Sequence, residues 1–199
     1  MIAVVDYEAG NLKSVETALE HLGADFIISS DPLVLAEADK MIFPGVGEAA
    51  QAMAVLTKSG LDRVIKDFAA TGKPLLGICL GSQILFDHSE ESDTDCLGIL
   101  PGRVRRFSSK MGLKIPHMGW NTLTHSEHPL FKTLPQDKSF YFVHSYYVEP
   151  QDEADIIGSS DYGHSFTAAV SRGNVMATQF HPEKSGEWGL LILKNFINL

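Results

Sequence analysis

The fold is decided by one stretch of the sequence, Gly77-Ile78-Cys79-Leu80-Gly81-Ser82-Gln83. The stretch continues an apolar run that is typical of a buried strand and opens a helical pattern, so Cys79 is predicted to lie at a turn from strand to helix. Glycines two residues before and two residues after Cys79 permit a tight turn that side chains with a Cβ atom would crowd. We therefore expect a nucleophile elbow that presents the Cys79 sulfur at the edge of a sheet.

Strand and helix patterns alternate through the first half of the chain. The apolar runs lie at residues 2–5, 26–28, 41–43 and 75–78. Alternation of this kind predicts parallel, buried strands flanked by helices. Asn11 is expected to cap the first helix and Gly23 to close it, while Asp31 followed by Pro32 should begin the second helix.

The pattern changes after residue 97 to a series of strand-like runs. These lie around Val104, around Ile115, and at residues 140–148, 166–170 and 175–180, before a final helical pattern. The run at 140–148 is rich in aromatic residues and is interpreted as one core strand. We expect a single α/β domain over residues 1–199, with a mostly parallel central sheet flanked by helices and an added antiparallel β portion.

Composition and charge exclude several classes of function. The formal net charge of −9 works against nucleic-acid binding, which depends on Lys and Arg neutralising phosphates. The two cysteines, Cys79 and Cys96, cannot form a disulfide framework or a tetrathiolate metal site, and His125 and His128 have no clear third ligand. We expect neither an export leader nor a membrane-spanning stretch. We expect a cytoplasmic protein without metal, cofactor, nucleic acid or membrane partner.

A candidate base follows the last strand-like run, in the sequence His181-Pro182-Glu183. A thiolate nucleophile needs a base, and the base needs an orienting acceptor. Pro182 biases His181 toward extended geometry, in which residues i and i+2 project to one side, so His181 and Glu183 can act together. The alternatives are a structural cysteine and a solvated His and Glu at a strand end. The occurrence of both motifs in one chain favours a catalytic triad.

The sequence Gly45-Val46-Gly47-Glu48-Ala49-Ala50 superficially matches a dinucleotide-binding fingerprint. That fingerprint belongs at the first turn from strand to helix, whereas this one follows the third strand and is preceded by Pro44, so we reject it. A glycine-flanked peptide can approach a substrate carbonyl closely, and here it is a candidate second donor of an oxyanion hole beside the backbone N–H of Leu80. A plain turn is the alternative.

These motifs resemble those of the triad family of glutamine amidotransferases, whose nucleophile motif is Gly-x-Cys-x-Gly-x-Gln and whose acid-base motif is His-Pro-Glu. Both occur here in the family's order. Further blocks resemble the branch of the family that serves histidine biosynthesis, at residues 6–7 with 10–12, 44–47, 116–121, 142–146 and 179–186. Branches that serve other pathways lack the block at 116–121. The resemblance implies a class I glutamine amidotransferase-like, flavodoxin-like fold.

The resemblance also implies an activity. Cys79 would attack the side-chain amide of glutamine, giving a thioester and ammonia, while His181 shuttles protons and Glu183 orients it. Water would then release glutamate. The residues that would hold the substrate are Gly45, Gln83, His144, Ser145 and Tyr146. Those around the reacting carbonyl would be Val46, Gly47 and Leu80.

The implied partner is a separate, barrel-shaped cyclase (synthase) subunit. It would form a heterodimer with this chain and use the ammonia to make imidazole glycerol phosphate and an aminoimidazole carboxamide ribotide. The sequence departs from the family's pattern at Glu8, where glycine is usual, and at Ser82, where methionine is common; neither change removes a catalytic atom. A stand-alone thiol hydrolase or peptidase, and a non-catalytic regulatory subunit, are the rival hypotheses.

Overall fold

The computed structural model describes residues 1–7 and 12–199. The strands are β1 Ile2–Val5, β2 Phe26–Ser29, β3 Lys40–Gly45, β4 Leu75–Cys79, β5 His88–Ser89, β6 Thr94–Asp95, β7 Gly102–Arg106, β8 His117–His125, β9 Lys138–His144, β10 Tyr146–Pro150, β11 Ile156–Asp161, β12 Ser165–Arg172 and β13 Val175–Thr178. The helices are α1 Leu12–His21, α2 Pro32–Glu37, α3 Ala49–Ser59, α4 Leu61–Ala70, α5 Leu80–Ile84 and α6 Gly186–Ile197.

The centre of the sheet is parallel. Its strands lie in the order β2, β1, β3, β4, β13, and each pairs in parallel with its neighbour. Every residue of β1, β4 and β13 is buried, as expected for strands covered on both faces. Side chains from alternate strand positions pack with α2, α3 and α4 on one face and with α1 and α6 on the other. The predicted α/β arrangement is confirmed for this part.

The added β portion is mostly antiparallel, as predicted. From β13 the sheet continues through β12, β10 and β7, and a branch runs from β12 through β11 and β8 to β9. The expectation of one strand at residues 140–148 is wrong. The chain breaks at Ser145: β9 before the break pairs with β8, whereas β10 after it pairs with β7 and β12.

Two other local predictions have different outcomes. The strand expected around Ile115 begins only at His117, because Pro116 has no N–H group to donate to a ladder. The start of α2 is confirmed, since the side chain of Asp31 accepts a hydrogen bond from the backbone nitrogen of Leu33 at 2.9 Å. Gly23 ends α1 with a left-handed φ of 65°.

Part of the sequence prediction falls outside the described residues. This applies to the cap at Asn11, to the unusual Glu8 and to Gly10.

Within the described part of the chain, no helix has both the length and the apolar character needed to cross a membrane.

Candidate active site

Cys79 lies at a sharp turn between β4 and α5. Its backbone angles, φ 55° and ψ −111°, fall in a region that side chains with a Cβ atom rarely occupy, at a cost on the order of 1 to 3 kcal/mol. A Cβ atom at Gly81 would collide with the backbone oxygen of Phe43, and one at Gly77 would lie 2.7 Å from Cδ1 of Leu85. Gly81 is therefore required for the turn, for the reason that the sequence suggested, whereas at Gly77 the nearest atom is the movable end of the Leu85 side chain.

Parallel pairing brings distant segments to Cys79. In the register of the sheet, Gly45 at the end of β3 lies beside Cys79, and Thr178 at the end of β13 lies beside Ile78. The segments that follow these strands therefore leave the sheet at the same edge. They are the glycine loop at residues 45–47 on one side and residues 179–183 on the other.

His181 and Glu183 form a buried pair. Nδ1 of His181 lies 2.7 Å from Oε1 of Glu183, and the exposed fractions of the two side chains are 2% and 4%. The expectation that both project from one extended segment is wrong for Glu183. His181 has extended backbone angles, but Pro182–Lys184 forms a 3₁₀ turn, because the fixed φ of Pro182 suits the first position of a helical turn. The turn brings the carboxylate within hydrogen-bond distance of the imidazole.

The second ring nitrogen of His181, Nε2, is the atom that can exchange a proton with a substrate. Nε2 is buried and makes no hydrogen bond of ordinary geometry with any described residue. Burial opposes protonation of the imidazole, but the interactions with the Cys79 sulfur and with Glu183 outweigh it and raise the pKa of His181 to about 10. An imidazole with a raised pKa holds its proton firmly and can give it to a leaving group in the cavity.

A cavity of about 240 Å³ opens above Cys79. Its lining residues are Val46, Gly47, Cys79, Leu80, Gln83, Glu91, Pro116, Val143, His144, Ser145, Tyr146 and His181. Two residues of the predicted site stand outside this wall. Gly45 is buried below it, where a Cβ atom would collide with the hydroxyl of Tyr7 and lie 2.8 Å from the backbone nitrogen of Gly81. Glu183 contacts His181 from the side away from the cavity wall.

The amide of Gln83 has a defined orientation. Its nitrogen donates to the backbone oxygen of Tyr146 at 3.0 Å and to Oε1 of Gln179 at 2.9 Å. Because both amide hydrogens are used there, the group that Gln83 can offer a ligand is its oxygen, which is an acceptor. The same backbone oxygen of Tyr146 accepts from Nδ1 of His144 at 2.7 Å. Gln83 and His144 together anchor the backbone at Tyr146.

Sequence reasoning missed several residues of the site. Glu91 is the one acidic side chain among residues 1–7 and 12–199 that lines the cavity, and its Oε2 accepts from the backbone nitrogen of Ala49 at 2.8 Å. Pro116 and Val143 also line the cavity. Glu91 stands in an acidic run that looks like a solvated loop, so no local signal could have identified it.

Two neutral histidines are hydrogen-bonded to each other at the cavity: His144 lines it, and His117 contacts His144 from outside the lining. Nδ1 of His144 donates to a carbonyl oxygen, so its Nε2 is an acceptor and receives the hydrogen of Nδ1 of His117 at 2.9 Å. Nε2 of His117 in turn accepts from Nδ2 of Asn121 at 3.2 Å. Burial lowers the pKa of His117 to about 4 and that of His144 to about 3. The hydrogen bonds therefore run in one direction, from Asn121 toward Tyr146.

This neutral pair should make the protein less stable in acid. Each of the two histidines takes up a proton near pH 6.5 in the unfolded chain, but only near pH 4 or below in the folded chain. The free energy of unfolding should therefore fall by roughly 1.4 kcal/mol per histidine for each pH unit between pH 6 and 5. Urea unfolding of His117→Asn over this range should show a slope smaller by roughly that amount. His21→Asn, at the exposed end of α1, is the control; equal slopes for His117→Asn and the wild type would contradict the assignment.

The remaining cysteine differs from Cys79. Sγ of Cys96 donates to the backbone oxygen of Thr94 at 3.6 Å, and burial together with nearby Asp95 raises the pKa of its thiol to about 12. A thiol that stays protonated is a poor nucleophile. Among residues 1–7 and 12–199, no group of three or more His, Cys, Asp or Glu side chains could hold a metal ion.

Comparison with known proteins identifies the family of the chain. The model of class-I glutamine amidotransferases matches residues 3–199, and the chain belongs to that family. It is 50% identical over 209 residues to imidazole glycerol phosphate synthase subunit HisH of Neisseria meningitidis serogroup A, covering 98% of each chain. The HisH subunit of Dehalococcoides mccartyi is 50% identical over 201 residues, which cover 100% of this chain and 97% of the relative. The family resemblance seen in the motifs is confirmed.

Solved structures confirm the fold class. PurLQS from Thermotoga maritima superposes with a TM-score of 0.75 at 22% identity, covering 99% of this chain and 97% of that one. A crystal structure of a glutamine amidotransferase gives a TM-score of 0.77 at 19% identity, with both chains fully covered. These structures share the mixed sheet and its flanking helices.

Proposed function

We propose that this chain is the glutaminase subunit of an imidazole glycerol phosphate synthase. It hydrolyses glutamine to glutamate and ammonia and passes the ammonia to a separate cyclase subunit in histidine biosynthesis. The observation that carries the proposal is the identity of about half of all residues to HisH subunits across almost the full length of both chains. A cytoplasmic location fits a biosynthetic enzyme of this kind.

The first half of the reaction forms a thioester. The thiolate of Cys79 attacks the side-chain amide carbon of glutamine, and the carbonyl oxygen becomes an oxyanion. Backbone N–H groups of Leu80, at the start of α5, and of the Val46–Gly47 segment are the candidate donors to that oxyanion. Nε2 of His181 gives its proton to the amide nitrogen, the carbon–nitrogen bond breaks, and ammonia leaves. The raised pKa of His181 supports its role as the acid.

The second half returns the enzyme to its starting state. Neutral Nε2 of His181 accepts a proton from water, and the hydroxide adds to the thioester carbon. The carbon–sulfur bond then breaks, which releases glutamate and restores the thiolate of Cys79 beside the imidazolium. Glu183 keeps the ring in the orientation that aims Nε2 at the cavity, through its hydrogen bond to Nδ1 at 2.7 Å.

The polar groups of the cavity suit the amino-acid end of glutamine. The side-chain oxygen of Gln83 is an acceptor for the α-ammonium group. Oε1 of Glu91 is a second acceptor, since Oε2 accepts from the backbone nitrogen of Ala49. His144, Ser145 and Tyr146 form the facing wall. A volume of about 240 Å³ fits a single amino acid, since pockets for drug-sized ligands measure roughly 300–1,000 Å³.

The proposal predicts a division of labour between two chains. Cys79→Ala protein mixed with the cyclase subunit of the same organism should form imidazole glycerol phosphate with an ammonium salt at alkaline pH but not with glutamine. The reason is that ammonia can also reach the cyclase from solution. Cys96→Ser should support the reaction with both nitrogen sources.

Two other outcomes would contradict parts of the proposal. If Cys79→Ala fails with both sources while the wild-type pair works with both, Cys79 does more than hydrolyse glutamine. If the wild-type chain turns over γ-glutamyl peptides and not glutamine, it is a peptidase and the synthase assignment fails.

A further inference from the structure

Gln179 is a buried residue whose side chain lies between Cys79 and Gln83. It follows β13 directly, and only 1% of its side chain is exposed. Its Oε1 accepts the hydrogen bond from Nε2 of Gln83 at 2.9 Å, and its own Nε2 lies 3.9 Å from Sγ of Cys79 in donor geometry. The side chain therefore contacts Gln83 and Cys79 at the same time.

The orientation of this amide is forced by its neighbour. Gln83 donates one amide hydrogen to the backbone oxygen of Tyr146 and the other to Gln179. Because the NH₂ group of Gln83 is the donor in this contact, Gln179 must accept with its oxygen. The NH₂ group of Gln179 is then directed at Cys79. A flipped Gln179 would place two NH₂ groups against each other in a buried site and leave the sulfur facing an oxygen, which is costly.

The backbone oxygen of Val143 makes the opposing contact on the sulfur. It lies 3.9 Å from Sγ and can accept a hydrogen bond only from the protonated thiol. It therefore favours the neutral form of Cys79, whereas an N–H donor favours the anion. The Gln179 amide supplies that donor from within the protein interior, where the effect of a dipole is not screened by water.

We propose that Gln179 is a further residue of the catalytic machinery, whose N–H group stabilises the Cys79 thiolate while its oxygen holds Gln83 with the carboxamide oxygen toward the substrate. The mechanistic meaning of this role rests on the proposed glutaminase function. The hydrogen bond between Gln83 and Gln179 thus couples substrate recognition to activation of the nucleophile. A single substitution at residue 179 should therefore affect both.

The test compares two variants in a Cys96→Ser background, so that Cys79 is the one cysteine left. In Gln179→Met a flexible apolar side chain of similar length removes the N–H group, and in Gln179→Glu a carboxylate faces the sulfur. The rate of alkylation of Cys79 by iodoacetamide is measured from pH 5 to 10. Asn174→Asp is the matched control, because the half-buried side-chain amide of Asn174 donates to the backbone oxygens of Ala69 and Lys73 and does not line the cavity.

The two variants should move the pH midpoint of alkylation upward by different amounts. Loss of one hydrogen bond to a charged group should lower the rate at pH 7 on the order of tenfold in Gln179→Met, and the added negative charge should lower it further in Gln179→Glu. Asn174→Asp should keep the midpoint of the background protein. In complex with the cyclase, Gln179→Met should also raise KM for glutamine, because Gln83 loses its acceptor.

The outcomes that overturn the proposal are distinct from failure of the proposed function. An unchanged midpoint in Gln179→Met overturns it, even if Gln179→Glu shifts, because the effect would then belong to the introduced charge. A shifted midpoint with unchanged KM overturns the link to Gln83. Iodoacetamide needs no glutamine site, so the alkylation result stands even if the wild-type chain proves not to hydrolyse glutamine. Should Gln179→Glu fail to fold, Gln179→Met alone decides.

Discussion

Cys79→Ala and His181→Ala should each lower the rate of glutamine hydrolysis on the order of 10⁴-fold or more, whereas Glu183→Gln should cost at least about tenfold less. The nucleophile and the base act as one unit, so loss of either removes the same step. Glu183 acts through its hydrogen bond to Nδ1 of His181. A glutamine side chain can keep an oxygen at that position, although it no longer stabilises the imidazolium by its charge.

Glutamate release in the presence of the cyclase subunit measures these differences. Cys96→Ser is the matched cysteine control. It should hydrolyse glutamine at the wild-type rate, because the Cys96 thiol of the wild type stays protonated and takes no part in the reaction. Circular dichroism and the melting temperature check that each variant is folded. Near-normal hydrolysis by Cys79→Ala would rule out the triad, and an equal loss in all three variants would show that Glu183 does more than orient His181.

Gly81→Ala should be strongly damaging to both stability and activity. The added Cβ would collide with the backbone oxygen of Phe43 and lie 3.0 Å from its carbonyl carbon. Phe43 belongs to β3, which is held between β1 and β4, so the backbone cannot retreat without breaking a ladder. We expect a loss of about 3 kcal/mol or more in the free energy of unfolding. We also expect loss of activity, because α5 and the glycine loop must move apart.

The matched control is Gly173→Ala, in the turn between β12 and β13. Its φ of 59° is unfavourable for alanine, but no atom lies within 4 Å of the added Cβ. Gly173→Ala should lower the free energy of unfolding by about 1 to 2 kcal/mol, because alanine disfavours the left-handed backbone at this position. Activity should be retained. Urea unfolding and glutamine hydrolysis of both variants decide the matter. If Gly81→Ala is no less stable than Gly173→Ala, the gap between β3 and α5 is wider than the structure indicates.

The first half of the fold could be predicted because its signals are local. The cap at Asp31, the glycines around Cys79 and the alternation of apolar runs act within a few residues. The break at Ser145 had no such signal. Residues on both sides of it have high β propensity, and the break exists because β9 and β10 pair with different strands far away in the sequence. Propensity cannot report which partner a strand will choose.

The site divides along the same line. Cys79 and His181 stand in short motifs whose chemistry can be recognised from neighbouring residues. Gln179 and Glu91 acquire their positions only through pairing between strands and between loops. The register of β13 against β4 brings Gln179 to Cys79, and the hydrogen bond to Ala49 brings Glu91 to the glycine loop. Neither contact can be predicted from neighbouring residues alone, although Gln179 begins the block at 179–186 that carries the family resemblance.

The break at Ser145 also limits how the chain can change its length during evolution. β9 is held in register by β8, from His117 opposite His144 to Leu123 opposite Lys138, and β10 is held in register by β7. A codon gained or lost at position 145 would slide one ladder by a residue and turn all of its side chains to the opposite face. The loop at residues 126–137, which carries no strand, is free of that constraint. We therefore expect insertions and deletions to be tolerated between β8 and β9, and the junction beside the cavity to keep its length.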